Sequence, residues 1–337
     1  MGNRLNLLVA MPKGKIRESF IGKRATEKLH LLGNVIWNEN HTQFTPEEYR
    51  KRLADIDVCI TGWGNPTLDQ YILKDASKLK LVVHTGGTVA PIVSDYLYKK
   101  GIKVISGNPM YAESVAEGVI AYMLTSLREI PYFANEVQQG RWPSDDEETT
   151  EGLLDQTIGL VGFGMITKHL IPMLKPFRVK IKVYSKHITD DTLKEYNIQR
   201  ASLEEIFSTC KIISIHTSQR PETYHMIDKK LLALIPKGSI LINTARGSII
   251  DEKALEEELK TGRFKAILDV YEQEPLPPQS GLRGLKNVIL LPHMAGPTYD
   301  RREIITLNLI EDIKRFFNNE PLRYEIPAQY ARYMTRE

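Results

Sequence analysis

The chain has 337 residues, enough for about two domains that each bury a core of their own. Hydrophobic residues make up 42% and charged residues 26%, which is typical of a globular enzyme. The net charge of +3, with both signs mixed along the chain, argues against a nucleic acid or an anionic membrane as partner. Two cysteines, Cys59 and Cys210, exclude a disulfide framework and a cysteine-based metal cluster. The first apolar run is closed by Pro12 and is too short for a signal peptide, so we expect a cytoplasmic protein with reduced thiols and no metal.

The first hundred residues alternate short apolar runs with segments of helical spacing, which predicts a parallel sheet with helices on both faces. The predicted strands are 5–10, 34–37, 58–61, 81–84 and 103–106, and the predicted helices are 18–32, 46–54, 69–76 and 94–100. Thr45 is a favourable cap for the second helix, and Pro46 suits its first position. This segment forms an α/β domain without a phosphate-binding glycine turn.

A turn with two adjacent glycines follows the fourth predicted strand. Pro91 stands where a phosphate-binding helix would begin, so we do not expect a dinucleotide at this turn. The backbone N–H groups of Gly86, Gly87 and Thr88 could instead bind the carboxylate of a substrate. An ordinary tight turn is the alternative interpretation.

A long helical run covers residues 111–139, and Pro131 should kink or break it. Small and apolar residues lie on more than one of its faces, so we expect it to be buried on two sides. It would then either cross between domains or form a subunit interface. The four consecutive acids at 145–148 are most simply a solvated loop rather than a metal site.

Residues 157–187 predict a strand, a tight turn, a helix and a second strand. The strands would be 157–161 and 179–184, with the helix at 165–174. In such a motif Gly162 permits the turn and Gly164 lets the backbone approach a pyrophosphate. The helix N-terminus at Met165 and Ile166 offers free N–H groups to the phosphates. The motif predicts a dinucleotide site.

The residue after the second strand of this motif decides which coenzyme we expect. An Asp or Glu there would accept the ribose 2′-OH of NAD, whereas this chain has Ser185 followed by Lys186 and His187. A hydroxyl beside cationic side chains suits the 2′-phosphate of NADP. We therefore predict that NADP is preferred and that NAD is possible, with a solvated strand end as the alternative interpretation.

After this motif the alternation of strands and helices resumes. The predicted strands are 212–216, 239–243, 266–269 and 288–291, and the predicted helices are 203–208, 229–234 and 252–261. A polar cluster follows each strand, at 216–217, 243–247, 269–274 and 293–296. Because ligands bind at the carboxyl ends of the strands in an open parallel sheet, we expect these clusters to face one cleft beside the glycine turn.

Four residues of these clusters could support a redox reaction of a keto acid. Arg246 offers a fork of donors for a substrate carboxylate and its keto oxygen. His293 could exchange the proton that accompanies hydride transfer, Glu274 could orient its imidazole, and Asp269 could bond the nicotinamide carboxamide. Each residue alone could be a loop cap, a surface charge or a packed histidine. Their common position at strand ends favours the catalytic interpretation.

Four segments carry a family pattern, namely ESVAEG at 113–118, NTARGSIIDE at 243–252, LDVYEQEP at 268–275 and LPHMAG at 291–296. They resemble the signatures of the D-isomer-specific 2-hydroxyacid dehydrogenase family, and the likeness covers almost the whole chain. In that family an Arg, a Glu and a His share the catalysis, and the matching positions are Arg246, Glu274 and His293. The coenzyme contacts that we assign besides the glycine turn are Ser185, Lys186, His216, Thr244, Ala245, Arg246, Asp269, His293 and Gly296.

The resemblance implies an α/β fold of two Rossmann-like or flavodoxin-like domains with parallel sheets. The substrate-binding domain would be discontinuous in sequence, formed by 1–107 with 298–337, and a helix at 298–317 would return the chain to it. The NAD(P)-binding Rossmann domain would be 108–297. Family members usually form homodimers through the cofactor domain, and closure of the two domains would exclude water from the substrate.

Three departures from the family pattern limit what can be carried over. Thr167 replaces the third glycine of the turn, and Ser185 replaces the ribose-binding acid. The substrate loop, usually two glycines flanking one residue and leading to an Asp, here reads GGTVA at 86–90, which predicts an unusual or narrow specificity. Formate dehydrogenases of the same superfamily carry Gln in place of the catalytic Glu, so Glu274 argues against that activity.

The expected function is reduction of a small 2-keto acid, or the reverse oxidation of a D-2-hydroxy acid. A competing hypothesis is a dinucleotide-sensing binding protein of the co-repressor type with little catalysis. The absence of long low-complexity tails for partner capture favours the enzyme. A phosphorylated sugar acid is a further possible substrate, which would need extra cations near the cleft.

Overall fold

The computed structural model describes residues 4–144 and 149–335. Short apolar runs rich in β-branched residues form strands because turn-forming residues bound them on both sides. The strands are β1 (Leu5–Val9), β2 (Gly33–Trp37), β3 (Val58–Thr61), β4 (Leu81–His84), β5 (Lys103–Ser106), β6 (Thr157–Val161), β7 (Lys180–Tyr184), β8 (Gln199–Arg200), β9 (Ile212–Ile215), β10 (Ile240–Asn243), β11 (Lys265–Leu268) and β12 (Val288–Leu290).

Helices connect most of these strands, as the alternating sequence pattern predicts. They are α1 (Lys15–Phe20), α2 (Lys23–Leu32), α3 (Pro46–Leu53), α4 (Asp95–Lys99), α5 (Asn108–Leu127), α6 (Ile130–Gln138), α7 (Met165–Leu174), α8 (Asp190–Tyr196), α9 (Leu203–Thr209), α10 (Lys229–Leu234), α11 (Glu252–Lys260), α12 (Tyr299–Phe317) and α13 (Ala328–Ala331). The sequence pattern did not predict α8, β8 and α13, which are short and mostly exposed.

The strands form two sheets in which neighbouring strands run parallel. The strand order is β2-β1-β3-β4-β5 in one sheet and β12-β11-β10-β9-β6-β7-β8 in the other. In the second sheet β6 lies between β7 and β9, so the order of connection reverses at β6. Ligands bind at such a switch point in open parallel sheets. The predicted α/β fold class with parallel sheets is confirmed.

Contacts within the chain divide it into two compact units. The first unit is Met1–Tyr111 with Pro297–Glu337, and the second unit is Ala112–Gly296. One boundary therefore falls inside α5, and the other falls two residues before α12 begins.

Each unit has a core on both faces of its sheet. In β1, Leu7 and Val9 pack against α2 and α12 on one face, whereas Leu8 packs against α3 on the other. In β9, Ile213 and Ile212 likewise enter different clusters. Side chains alternate between the faces of a strand, so a strand covered on both faces appears in the sequence as a continuous apolar run.

The prediction of one helix over residues 18–32 was wrong. The chain forms α1 and α2 instead, separated by Ile21 and Gly22. The Glu303 carboxylate from α12 accepts a hydrogen bond from the Ala25 backbone N–H at 3.1 Å. A carboxylate at a helix N-terminus satisfies otherwise free N–H groups, so this distant residue stabilises a new helix start.

Two further predictions of helical structure need correction. Residues 69–76 form turns, because the Asp69 carboxylate accepts a hydrogen bond from the Ile72 N–H at 2.9 Å and closes a local turn. The long run at 111–139 breaks at Glu129, whose φ of 49° is left-handed, rather than at Pro131. Pro131 lies in the first turn of α6, where its missing N–H costs nothing.

The structure also bears on the cysteines, on membrane-spanning helices and on groups of possible metal ligands. Cys59 and Cys210 are free and buried. None of the helices in the described part of the chain is long and apolar enough to cross a membrane. In the same part, no group of three or more His, Cys, Asp or Glu residues could hold a metal ion. The acidic run at 145–148 lies outside the described residues.

Candidate active site

The glycine turn lies at the carboxyl end of β6, where the sheet order reverses. Gly162 has a φ of 112°, and a Cβ there would lie 2.6 Å from the backbone oxygen of His216, so only glycine fits. Gly164 is the N-cap of α7, and a Cβ there would have nothing within 4 Å. The space in front of the helix N-terminus is therefore open to an anion.

Thr167 takes the place of the family's third glycine without disrupting the turn. Its side chain is buried, and its Oγ1 donates a hydrogen bond to the Gly162 carbonyl oxygen at 2.9 Å. The threonine is thus accommodated between helix and strand, and its hydroxyl ties α7 to the turn.

Buried polar atoms lie at the ends of two neighbouring strands of this sheet. Both ring nitrogens of His216, after β9, and the Thr244 hydroxyl, after β10, are buried and have no hydrogen-bond partner in the described part of the chain. Burial lowers the pKa of His216 to about 4, so its ring is neutral at neutral pH. Unsatisfied buried polar groups are rare and costly in folded proteins, which makes these atoms candidates for ligand contacts.

His293 and Glu274 form a hydrogen-bonded pair. His293 Nδ1 lies 2.7 Å from Glu274 Oε2, and the other carboxylate oxygen, Oε1, accepts a hydrogen bond from the Tyr271 N–H at 3.1 Å. The carboxylate is thereby fixed by backbone and orients the imidazole. His293 itself has a left-handed φ of 52°, an uncommon conformation for a residue other than glycine and one often found at functional sites.

Asp269, at the end of β11, fixes the backbone immediately after His293. It is buried, and its two oxygens accept hydrogen bonds from the N–H groups of Met294 and Ala295 at 2.7 and 2.8 Å. Burial raises the pKa of its carboxyl group, and the two backbone donors act in the opposite direction. The contact to a nicotinamide carboxamide stays a prediction for this residue.

The loop that carries Arg246 is closed by local hydrogen bonds. The Asn243 side chain donates to the Arg246 carbonyl oxygen at 2.9 Å and accepts from the Ala245 N–H at 3.0 Å. A Cβ on Gly247 would lie 1.9 Å from the backbone carbon of Tyr271, so this glycine lets the loop contact the segment that leads to Glu274. Arg246 is half-buried, and its Nη1 donates to the Ala245 oxygen at 2.7 Å.

The four predicted polar clusters follow β9, β10, β11 and β12, which are neighbours in one parallel sheet and therefore share one edge. The second unit contains the predicted coenzyme and catalytic residues Gly162, Gly164, Met165, Ile166, Ser185, Lys186, His216, Thr244, Ala245, Arg246, Asp269, Glu274, His293 and Gly296. The predicted substrate loop, Gly86 to Thr88, belongs to the first unit.

Sequence reasoning missed the residues that position this site. Asn243, Gly247 and Tyr271 were recognised only as members of polar clusters, although each makes a contact that shapes the loops carrying Arg246 and Glu274. The glycine directly after Arg246 was the available signal, because a glycine between a catalytic residue and a helix often marks a close backbone approach.

Comparisons with known proteins identify the family of this chain. Residues 120–295, more than half of the chain, match the NAD-binding domain of the D-isomer specific 2-hydroxyacid dehydrogenases. The glyoxylate reductase of Korarchaeum cryptofilum is 30% identical over 268 residues, which cover 77% of this chain and 80% of that protein. The chain belongs to the D-isomer specific 2-hydroxyacid dehydrogenase family.

Other relatives of this family member differ in length and name. The D-3-phosphoglycerate dehydrogenase of Methanocaldococcus jannaschii is 31% identical over 304 residues, which cover 88% of this chain but only 57% of that protein. The solved structure of an acyclic imino acid reductase in complex with NADPH and D-Arg is 25% identical, with a TM-score of 0.78 over 95% of this chain and 100% of that one.

The family predicted from the sequence is confirmed, and with it membership among oxidoreductases that carry an NAD-binding domain. The names of the relatives are those of reductases and dehydrogenases, so the co-repressor hypothesis is not favoured. The cytoplasmic location, the homodimer and the preference for NADP stay predictions.

Proposed function

We propose that this chain transfers a hydride between a nicotinamide coenzyme, NADP in preference to NAD, and a small 2-keto or D-2-hydroxy acid. The observation that carries the proposal is the 2.7 Å hydrogen bond between His293 and Glu274 at the edge of a nucleotide-binding sheet. A histidine oriented by a carboxylate is suited to exchange a proton with a reacting oxygen.

The residues around the glycine turn fit a dinucleotide. The pyrophosphate would lie against Gly164 and the N–H groups of Met165 and Ile166, where the space before α7 is open. The unsatisfied atoms of His216 and Thr244 would contact the coenzyme further along the same sheet edge. Contacts from Ala245, Arg246, Asp269, His293 and Gly296 rest on the resemblance to the family. When bound, the nicotinamide supplies or accepts the hydride.

Three side chains would carry out the remaining chemistry. His293 donates a proton from Nε2 to the keto oxygen during reduction, because its Nδ1 is engaged by Glu274. Glu274 stabilises the protonated imidazole and keeps its orientation. The Arg246 guanidinium binds the substrate carboxylate and polarises the keto group.

The Gly86 to Thr88 loop of the first unit would bind a substrate carboxylate through its backbone. Gly86, Gly87 and Thr88 have backbone N–H groups without an acceptor among residues 4–144 and 149–335. Such adjacent donors suit a carboxylate. The altered loop sequence supports a narrow specificity, and the name of the glyoxylate reductase relative suggests glyoxylate as a first candidate.

The test is the initial rate of NADPH and NADH oxidation with glyoxylate, hydroxypyruvate, pyruvate and 2-ketobutyrate. The wild type should turn over at least one of these acids. His293→Ala should lower kcat by at least about 100-fold, the usual contribution of a general acid, while NADPH binding measured by fluorescence stays within about twofold.

The matched control is His41→Ala, which removes an exposed histidine of the first unit and should leave the rate unchanged. Near-normal turnover by His293→Ala would refute its role as the acid. Coenzyme binding by the wild type without turnover of any 2-keto acid would instead support a binding protein.

A further inference from the structure

Ser106, the last residue of β5, connects the substrate loop to the start of α5. Its buried hydroxyl oxygen lies 2.9 Å from the Gly86 carbonyl oxygen and 2.7 Å from the Gly87 carbonyl oxygen, so its single proton is shared between the two in a bifurcated hydrogen bond. The same hydroxyl accepts a hydrogen bond from the Asn108 N–H at 3.1 Å. That donor directs the serine proton toward the two carbonyl groups.

The direction of these carbonyl groups determines the direction of two N–H groups. In a planar trans peptide the C=O of one residue and the N–H of the next point in opposite directions. Because the carbonyls of Gly86 and Gly87 face Ser106, the N–H groups of Gly87 and Thr88 point away from it, on the other side of the loop. Neither N–H has an acceptor in the described part of the chain.

The far end of the loop is fixed independently. Thr88 Oγ1 donates a hydrogen bond to the Thr335 carbonyl oxygen at 2.9 Å, and Val89 is fully buried. The glycines have no side chains that could set their own peptide orientation. Ser106 therefore supplies the contacts that orient the two peptides between Gly86 and Thr88.

We propose that Ser106 is a positioning residue for the substrate, which aims the N–H groups of Gly87 and Thr88 at the substrate carboxylate. This inference rests on the proposed function, since it assigns those donors to a 2-keto acid. Ser106 does not touch the substrate itself. It sets the affinity for the carboxylate and not the rate of the chemical step.

Ser106→Ala tests this inference through the separation of KM from kcat. Loss of the hydroxyl frees both peptides, so KM for the 2-keto acid should rise about tenfold, as expected when hydrogen bonds to a charged group are weakened. Both kcat and the KM for NADPH should change by less than about threefold, because the hydroxyl is remote from the chemistry. Ser106→Cys replaces the hydroxyl by a larger group that donates weakly, so its KM should also exceed that of the wild type.

Ser94→Ala is the matched control. The Ser94 hydroxyl also makes two backbone contacts in the first unit, donating to the Leu68 oxygen at 2.6 Å and accepting from the Leu97 N–H at 3.2 Å. Its loss should lower the free energy of unfolding as Ser106→Ala does, without changing KM. An equal rise in KM in the two alanine variants, or no rise in Ser106→Ala, would refute the positioning role of Ser106. Turnover by the wild type would in that case still support the proposed function.

Calorimetric titration with oxamate, a non-reducible 2-keto acid analogue, makes the test independent of activity. Its Kd should rise about tenfold in Ser106→Ala and not in Ser94→Ala. If the wild type reduced no 2-keto acid, the proposed function would fail. Weaker oxamate binding by Ser106→Ala, but not by Ser94→Ala, would even then support the role of Ser106 in orienting the N–H groups of Gly87 and Thr88. Oxamate binding that is absent in the wild type, or equal in both variants, would overturn the inference.

Discussion

At the scale of single residues, the candidate site is built from side chains whose partners are mostly backbone groups. Glu274 accepts from the Tyr271 N–H, and Asp269 accepts from two N–H groups of the loop that follows His293. Backbone groups belong to strand ends with defined positions, so they orient a carboxylate more firmly than a mobile side chain would. The two carboxylates of the candidate site are therefore held in place by the protein itself.

The coenzyme preference depends on Ser185 and the residues after it. Ser185 is half-buried, while Lys186 and His187 are exposed and make no hydrogen bond or ion pair within the described residues. We predict that kcat/KM is at least about tenfold higher with NADPH than with NADH. Ser185→Asp should reverse this ratio, because a carboxylate repels the 2′-phosphate and accepts the 2′-OH.

The control for this change is Lys194→Ala, which removes an exposed lysine in α8. It should leave the ratio of kcat/KM with NADPH to kcat/KM with NADH unaltered. Lys186→Ala should lower kcat/KM for NADPH while that for NADH stays within about twofold. A wild type that used NADH many times more efficiently than NADPH would contradict the assignment of Ser185 and Lys186.

At the scale of elements, helix starts depend on both local and distant residues. Helix α3 begins as its sequence predicts, because Thr45 accepts from the Glu48 N–H at 3.3 Å and Glu48 accepts from the Thr45 N–H at 2.9 Å. Helix α2 begins where Glu303 reaches it from far along the chain. Only the first kind of cap can be recognised in a sequence.

Helix α6 is apolar yet contains no buried residue. Ile130, Tyr132 and Val137 are 51%, 44% and 48% exposed, and Trp142 beyond the helix is 85% exposed. Exposed apolar side chains grouped in this way are typical of interaction sites, and the resemblance to the family leads us to expect a homodimer through the cofactor domain. We therefore expect a second copy of the chain to cover this face.

Light scattering after size exclusion should show a dimer for the wild type. The double variant with Val137→Glu and Trp142→Ser should be a monomer at low micromolar concentration, because a charge would be buried in the interface. Leu31→Ser is the control, since it removes an equally exposed apolar residue from the first unit. A monomeric wild type would show that α6 is not a dimer interface.

At the scale of the whole molecule, each sheet buries a neutral histidine at a strand end. Burial lowers the pKa of His84 and of His216 to about 4 from an ordinary value of 6.5. The unfolded chain therefore binds more protons than the folded chain between these values. Their contribution to stability is complete above about pH 7 and is lost as the pH falls toward 4.

The free energy of unfolding, measured with urea, should be lower at pH 5 than at pH 7.5 by about 2 kcal/mol for each of these histidines. His84→Gln and His216→Gln should each reduce this pH dependence, because glutamine does not titrate. His41→Gln, at an exposed position, should leave it unchanged. If the free energy of unfolding changed equally between pH 5 and pH 7.5 in the wild type and in all three variants, the two buried histidines would not control the stability in acid.

Much of the fold could be predicted because its signals are local. The strands are continuous apolar runs, and the turn at Gly162 is bounded by a strand and a helix. The roles proposed for Arg246 and His293 followed from their positions after strands. The break at Gly22 was missed, and the break predicted at Pro131 occurs at Glu129, because these positions depend on a distant contact and on a backbone angle that no short window of sequence contains.

The sequence by itself determined the alternation of strands and helices, the glycine turn and the set of polar residues at strand ends, since each depends on neighbours within a few positions. The pairing of Glu274 with His293 was expected from the sequence, and the structure gave it a distance of 2.7 Å. The tertiary structure alone decided that Asp269 holds the loop after His293 and that the Ser106 hydroxyl lies against the carbonyl groups of Gly86 and Gly87. These contacts join residues on different strands or loops. Their geometry exists only once parallel strands have brought their carboxyl ends to one edge of a sheet.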